Sequence, residues 1–285
     1  MELALQTVAN SMILFAFFCI LAVGLSLAFG VMGTANYAHG EFYMIGAYTV
    51  WLLYTLNHWP FFATVLIAIG IVALIGMLAE LALFRRARGN VIAGLLLAIG
   101  LSFILSTLVA RIWGVGIPKP VTPPLKGALE LLGVAVGWQR VAVAPVAAAT
   151  LVGLFVFLHR TRQGRALRAV AEDREAASLQ GISANKSALL ALGVASAMAG
   201  LAGAMLAPIM PVIPYMGHWI IWMCFIIIIV GGAGNLKGTI LACLILAFIS
   251  TVVTTLVDST VGTIVSSVFM LIFLAFRPEG LFGNA

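Results

Sequence analysis

Charge is what this sequence has least of. Only 8% of its 285 residues are Asp, Glu, Lys or Arg, against about 25% in soluble globular domains. With 63% hydrophobic residues, the chain cannot cover itself with a water-compatible surface. Runs free of those four residues cover Leu3–Gly40, Phe42–Ala79, Gly89–Ala110, Val141–His159, Ser187–Leu236, Gly238–Val257 and Ser259–Phe276. A helix crosses the hydrocarbon core in about 20 residues, and backbone in lipid must satisfy its own hydrogen bonds. The runs therefore predict an all-α integral membrane protein, a polytopic helical bundle. They do not alternate polar and apolar positions, which excludes a barrel.

Other scarcities exclude chemistry. The three cysteines, Cys19, Cys224 and Cys243, each lie in an apolar run without disulfide or ligand spacing, so they read as small buried side chains. No Gly-Lys dipeptide exists, so the chain has no Walker A loop and its energy must come from elsewhere. No nucleophile–base pair or paired carboxylates point to an enzyme, no ligand cluster points to a metal, and no cofactor is expected. Met1-Glu2 leads into an apolar stretch longer than a signal-peptide core, which predicts an uncleaved first span. The net charge of +6 comes from positives gathered at span ends, so topology explains it better than a nucleic acid does.

What charge there is collects in one place. Nine of the 24 charged residues fall between His159 and Lys186. Arg85, Arg86 and Arg88, then Arg160, Arg162, Arg165 and Arg168, and finally Arg277 follow apolar runs. The positive-inside rule puts these segments in the cytoplasm, with residues 159–186 as the largest inner loop and the C-terminus beside it. Residues 114–140, with Pro118, Pro120, Pro123 and Pro124, then belong outside as a Pro-stiffened loop followed by a small hairpin. Asn57-His58-Trp59-Pro60 breaks the second run. If Tyr37–Leu56 spans, the count is nine and the N-terminus is outside; if it is re-entrant, the count is eight. The nine-span reading is preferred. All 285 residues form one transmembrane domain.

Two glycine clusters interrupt apolar stretches, Gly30–Glu41 and Gly231–Gly238, a placement that suits broken helices in two related halves. Asn36, His39 and Glu41 in the first cluster would line a polar path or gate, or would satisfy backbone groups freed by a helix break. Gly231, Gly232 and Gly234 are candidates for the same path or gate, or would serve close packing or a hinge. Within residues 159–186, Leu167, Val170, Ala171 and Ala177 recur at helical spacing, with Arg168, Glu172, Asp173 and Glu175 around them. Arg165 and Arg168 face Glu172 and Asp173 as helical neighbours, and Gly181 can end the helix in the left-handed conformation. Such a helix either lies on the membrane surface or, with small Ala176 and Ala177 after Glu175, fits a partner's groove. Elsewhere, Glu80 is placed to pair with Arg85. Pro208, Pro211 and Pro214 read as a span exit, and Tyr215, His218, Trp219 and Trp222 as an aromatic interface belt.

The run from Thr161 to Asp173, continuing to Gly181-Ile182, resembles the cytoplasmic loop of branched-chain amino-acid ABC transporter permeases. Asn36-Tyr37-Ala38-His39-Gly40-Glu41-Phe42 with Gly46-Ala47-Tyr48, the run Val230–Gly234, and Arg277-Pro278-Glu279-Gly280-Leu281-Phe282-Gly283 resemble further family signatures, in the family's order. The shorter of the two permease types is the nearer match. Asn235-Leu236-Lys237-Gly238 departs from a small-polar, Ile, Pro, Gly pattern. The resemblance implies a permease subunit of an ABC importer in a bacterial inner membrane, without enzymatic activity of its own. Its implied partners are a second homologous permease, two ATP-binding cassette ATPases and a periplasmic solute-binding protein. Arg168, Glu172, Asp173, Glu175, Ala176, Ala177 and Gly181 would couple to the ATPase. Branched-chain amino acids are the implied solute, although the family also includes carriers of urea, amides and small organic acids. The rival reading is an ion-coupled secondary transporter, which should place several carboxylates in its core.

Overall fold

The computed structural model describes residues 2–131 and 133–282; Gly283 of the terminal motif lies outside them. The described chain is helical apart from one hairpin. In order it forms α1 (Glu2–Met32), α2 (His39–Val50), α3 (Phe61–Ala82), α4 (Val91–Trp113), a hairpin of β1 (Ala128–Leu131) and β2 (Val134–Gly137), α5 (Trp138–Arg160), α6 (Arg162–Glu172), α7 (Arg174–Leu179), α8 (Ala184–Leu206), α9 (Met216–Gly231), α10 (Leu236–Leu256) and α11 (Ser259–Phe276). Seven of these, α1, α3, α4, α5, α8, α10 and α11, are long and apolar enough to cross a membrane. Two shorter apolar helices complete the bundle: α9, and α2 with the π-helical turn Trp51–Leu56 that prolongs it.

The few polar residues in this sequence do much of their work at helix starts. Asn90, Thr161, Asp173, Ser183, Asn235 and Asp258 each accept a backbone N–H of the following first turn, which satisfies donors that the helix itself leaves open. Asn235 caps α10 by accepting Gly238 N–H at 3.1 Å. That bond defines the turn without the proline of the family pattern. No side chain caps α2 or α9.

Helices α1, α2 and α8 form the centre. Where α2 crosses α8 the contacts are made by small residues, because close backbone approach is the main packing gain available between helices in lipid. A Cβ on Gly46 would sit 2.4 Å from the Gly200 carbonyl oxygen, and one on Gly203 would sit 2.0 Å from that of Tyr43. Around this centre stand α3, α5, α9 and α10, while α4 and α11 present mostly exposed apolar faces.

The two ends differ in charge. At one end Glu80 pairs with Arg88, which also bonds Asn185, tying the ends of α3 and α8 together. Burial, and second the nearby charge of Arg174, hold the Arg88 pKa below its usual value. The Arg85–Arg88 turn and the start of α7 thus share this end. The expected partner of Glu80 was Arg85. Instead α3 ends at Ala82, a 3-10 turn at Phe84–Arg86 leaves Arg85 exposed, and Arg88 folds back. At the opposite end, Lys119 and Val212 exchange two backbone hydrogen bonds of 2.9 and 3.1 Å, fastening the loop before the hairpin to the α8–α9 segment.

Candidate functional sites: a coupling joint and an intramembrane carboxylate

The polar segment folds as two helices, not one. Asp173 leaves α6 and caps α7, its Oδ1 accepting Glu175 and Ala176 N–H at 2.8 and 2.9 Å. It is therefore spent on the backbone, and no ion pair joins Arg165 or Arg168 to Glu172 or Asp173 among the described residues. Gly181, at φ 78°, closes α7: its N–H reaches Ser178 O at 3.0 Å and Ile182 N–H reaches Ala177 O at 3.0 Å. This 5→2 and 6→1 pair is the Schellman stop, which needs a left-handed residue at the glycine position.

Arg168, Glu172, Asp173, Glu175, Ala176 and Gly181 are exposed, whereas Ala177 is buried against the chain's own bundle. The pairing of Ala176 and Ala177 as one small face for a partner is thus corrected, since Ala177 anchors α7 from below. Leu179, which the sequence pattern did not single out, is 88% exposed at the tip of α7. An apolar side chain so exposed beside Glu175 gives α7 a mixed docking surface.

This pair of helices is held stiffly. A Cβ on Gly164 would meet the Phe157 carbonyl oxygen at 2.0 Å, so the first turn of α6 lies directly on the end of α5. Leu167 and Val170 bury the inner face of α6. Near the end of α1, a Cβ on Gly30 would lie 3.4 Å from the Gly234 backbone and 3.8 Å from the methyl of Ala171, which is itself exposed. A Cβ on Gly231 would lie 2.7 Å from the Gly238 backbone. The tail closes the same joint: Leu281 and Phe282 N–H bond Val230 O and Gly231 O at 2.8 and 3.3 Å, and Asn235 Nδ2 donates to Phe282 O at 2.9 Å. Gly231, Gly232 and Gly234 therefore sit in a joint shared by α1, α6, α9, α10 and the tail, away from Asn36, His39 and Glu41. They form a tight turn between α9 and α10, not a broken helix.

The second break lies at Pro208–Tyr215 instead. His39, at the start of α2, has Nε2 3.1 Å from Leu21 O, in the middle of α1. At 1.5 Å per residue that point is about 16 Å from the Met32 end of α1, so α2 begins deep inside the bundle. There α9 begins beside it. A Cβ on Gly40 would lie 2.3 Å from Gly217 O, and one on Gly217 would lie 2.5 Å from Gly40 O. Two helix N-termini, each positive at that end, meet within the apolar core.

Glu41 stands at this crossing, buried. Its Oε1 accepts Ser102 Oγ–H from α4 at 3.0 Å and lies 3.1 Å from His218 Nε2 of α9. His218 is therefore an inward partner of Glu41, not part of an interface belt, because the α8–α9 segment carries it back into the bundle. Trp219 and Trp222 donate their indole N–H to Thr263 and Ser267 of α11 at 3.1 and 3.2 Å. Asn36 Oδ1 accepts Ala38 N–H at 3.1 Å, so Asn36 serves the local backbone and His39 that of α1, while Glu41 meets side chains of α4 and α9. Ser102 had one signal in the sequence, the Ser102–Ser106 pair four residues apart inside an apolar run. His218 had none, since its neighbours are aromatic.

Known proteins resemble this architecture throughout. The family model for the branched-chain amino acid transport system permease component matches residues 7–276. The chain belongs to that family. It is 28% identical over 296 residues to the high-affinity branched-chain amino acid permease BraD of Pseudomonas aeruginosa, covering 98% of this chain and 96% of that protein. LivH of Escherichia coli K12 is 28% identical over 294 residues with the same coverage. Among solved structures, PsaBC from Streptococcus pneumoniae superposes with a TM-score of 0.53 at 15% identity, over 96% of this chain and 93% of that one. An inward-facing ABC transporter assigned to the metal-chelate type gives 0.54 at 14%, over 94% and 85%. These two share the fold. The permease is a multi-pass membrane protein of the all-α class.

Proposed function

We propose that this permease forms half of a translocation path for branched-chain amino acids or a closely related small solute, driven by ATPases that grip α6 and α7. The observation that carries the reading is the exposed, glycine-stopped α7, with Glu175 and Leu179 outward, mounted on an α6 that packs backbone to backbone on α5. A stiff element of this kind transmits displacement, where a flexible loop would absorb it. The Gly30–Gly234 joint lies beside the end of α6, within reach of its motion. The basic end is cytoplasmic by the positive-inside rule, and the hairpin end, with residues 114–140, faces the periplasm and its solute-binding protein.

A second permease covers the α4 and α9 face. That face carries His218, about a third exposed, one imidazole away from a buried carboxylate. Acyl chains against such a pair are unfavourable, since ionisable groups in spans face protein or water. The secondary-transporter alternative is weakened by the same census: among the described residues Glu41 and Glu80 are the buried carboxylates, and Glu80 is committed to Arg88.

Docking is tested by Glu175→Arg and Leu179→Asp in the reconstituted complex with its ATPases and binding protein. Both changes leave membrane insertion intact and lower solute-stimulated ATPase activity by roughly tenfold or more, the scale of one interface hot spot. Full stimulation in both variants would remove α7 from the coupling path.

A further inference from the structure

We infer that Glu41 is a solute contact that takes the ammonium group of an amine-bearing solute, with Ser102 and His218 holding its carboxylate in position. The inference rests on the permease reading and names the chemistry of its path.

Three helices supply the constellation: α2 gives Glu41, α4 gives Ser102 and α9 gives His218. Both partners engage the same oxygen, Oε1. Oε2 is buried and has no hydrogen-bond partner among the described residues. Glu80 also leaves its Oε2 open, but the Arg88 guanidinium on its other oxygen offsets its charge; Glu41 has a hydroxyl and an imidazole in that place, and a buried acceptor left open is destabilising. The open oxygen calls for a donor from outside the chain, and a positively charged one, since Lys and Arg side chains do not reach it.

Aromatic rings stand around the approach. Phe103 and Tyr215 flank the His218 imidazole with ring centroids 6.3 and 5.7 Å away, surfaces that favour an alkylammonium over an anion. The Trp219 and Trp222 indoles are committed to α11, so their N–H groups do not compete for the carboxylate. A metal ion is a poorer occupant: no three His, Cys, Asp or Glu side chains gather among the described residues. Access runs past His218, the one part-exposed member of the three. The close Gly40–Gly217 crossing fixes Glu41 and His218 relative to each other, so the pair presents one geometry to a ligand.

The test uses the complete complex in nanodiscs and dicyclohexylcarbodiimide, which attacks carboxyls in apolar surroundings, with Glu41 labelling followed by peptide mass spectrometry. Millimolar leucine and isoamylamine should slow labelling severalfold, while 4-methylpentanoate, which is leucine without its amine, should not. Ser102→Ala should keep the labelling and weaken the protection. In uptake assays Glu41→Gln should raise KM for an amine solute by roughly tenfold, the scale of one charge-assisted hydrogen bond, with kcat changed less. Equal labelling with and without amines, protection by 4-methylpentanoate as strong as by leucine, or an unchanged KM in Glu41→Gln would each overturn the assignment. Amine protection of Glu41 in a complex whose α7 variants stay fully coupled would sustain this site while removing the docking reading.

Discussion

Helices α8 and α4 are both 23-residue apolar spans with glycines in them, yet they are built on opposite plans. In α8, Gly193, Gly200 and Gly203 each leave no room for a methyl group without movement of a neighbour. In α4, Gly100 faces open space with nothing within 4 Å of an added Cβ. One helix is the keystone against which α1, α2 and α3 close. The other is a wall whose outer surface meets lipid or a partner. Composition cannot separate them; only the neighbours do.

Matched substitutions break the comparison most sharply. Gly203→Ala forces a Cβ to within 2.0 Å of the Tyr43 carbonyl oxygen and 3.0 Å of Ala47 N, both backbone atoms that cannot rotate aside. Overpacking of this kind costs about 3 kcal/mol, and α2, with Glu41, must shift. Gly100→Ala should be neutral or stabilising by up to about 1 kcal/mol, as expected for glycine replaced in an open helix face. Thermal melting of the purified permease in detergent reads both. Equal melting temperatures would mean that the α2–α8 contact is looser than its geometry.

The same contrast explains what the sequence could tell. Helix positions were legible because charge-free runs and the Asn57–Pro60 break mark ends in water, and such ends need polar caps. The coupling segment was legible as the one concentration of charge, and Gly181 as its stop. Its division at Asp173 was not, since a cap and a helical charge pair look alike until the backbone is traced. The interior was harder. Pro208, Pro211 and Pro214 signal that a span ends, but not that the chain turns back inward, so His218 looked like a surface residue. Glu41 was visible as an isolated carboxylate, while its partners come from residues 102 and 218 and share no local pattern with it. The joint at Gly30 and Gly234 likewise depends on two turns some two hundred residues apart.

An effect of similar size tests the basic end, where the buried plan continues to the membrane surface. Glu80 is buried and Arg88 nearly so, so removing the carboxylate strands a guanidinium. Glu80→Gln should lower stability by about 3 kcal/mol, as for other broken buried pairs. The double variant Glu80→Gln with Arg88→Gln should recover part of the loss, because no unpaired charge remains. Arg85→Gln, at an exposed site, should change melting little. A Glu80→Gln loss no greater than that of Arg85→Gln would place the pair with ordinary surface charges.

The smallest effect belongs to the rim at the hairpin end. Asp258 is fully exposed and caps α11, its Oδ1 accepting Thr260 and Val261 N–H at 2.6 and 3.1 Å. The Val261 N–H first, then that of Thr260, hold its pKa below the ordinary aspartate value. A carboxylate depressed in the folded state contributes stability above its unfolded pKa, and that contribution is lost as pH falls through the folded value. The first turn of α11 should therefore exchange its amide hydrogens faster, relative to intrinsic rates, as the solution is acidified below the usual carboxylate range. Asp258→Asn keeps an acceptor at the cap and removes the titration, so its protection should stay flat across the same range. The centre of the bundle, where α8 meets α2, should show no such dependence at Thr49 or Gly200. If both regions lost protection together, the rim would be too tightly joined to the core to fray alone, and the distinction drawn between α4 and α8 would not extend to α11.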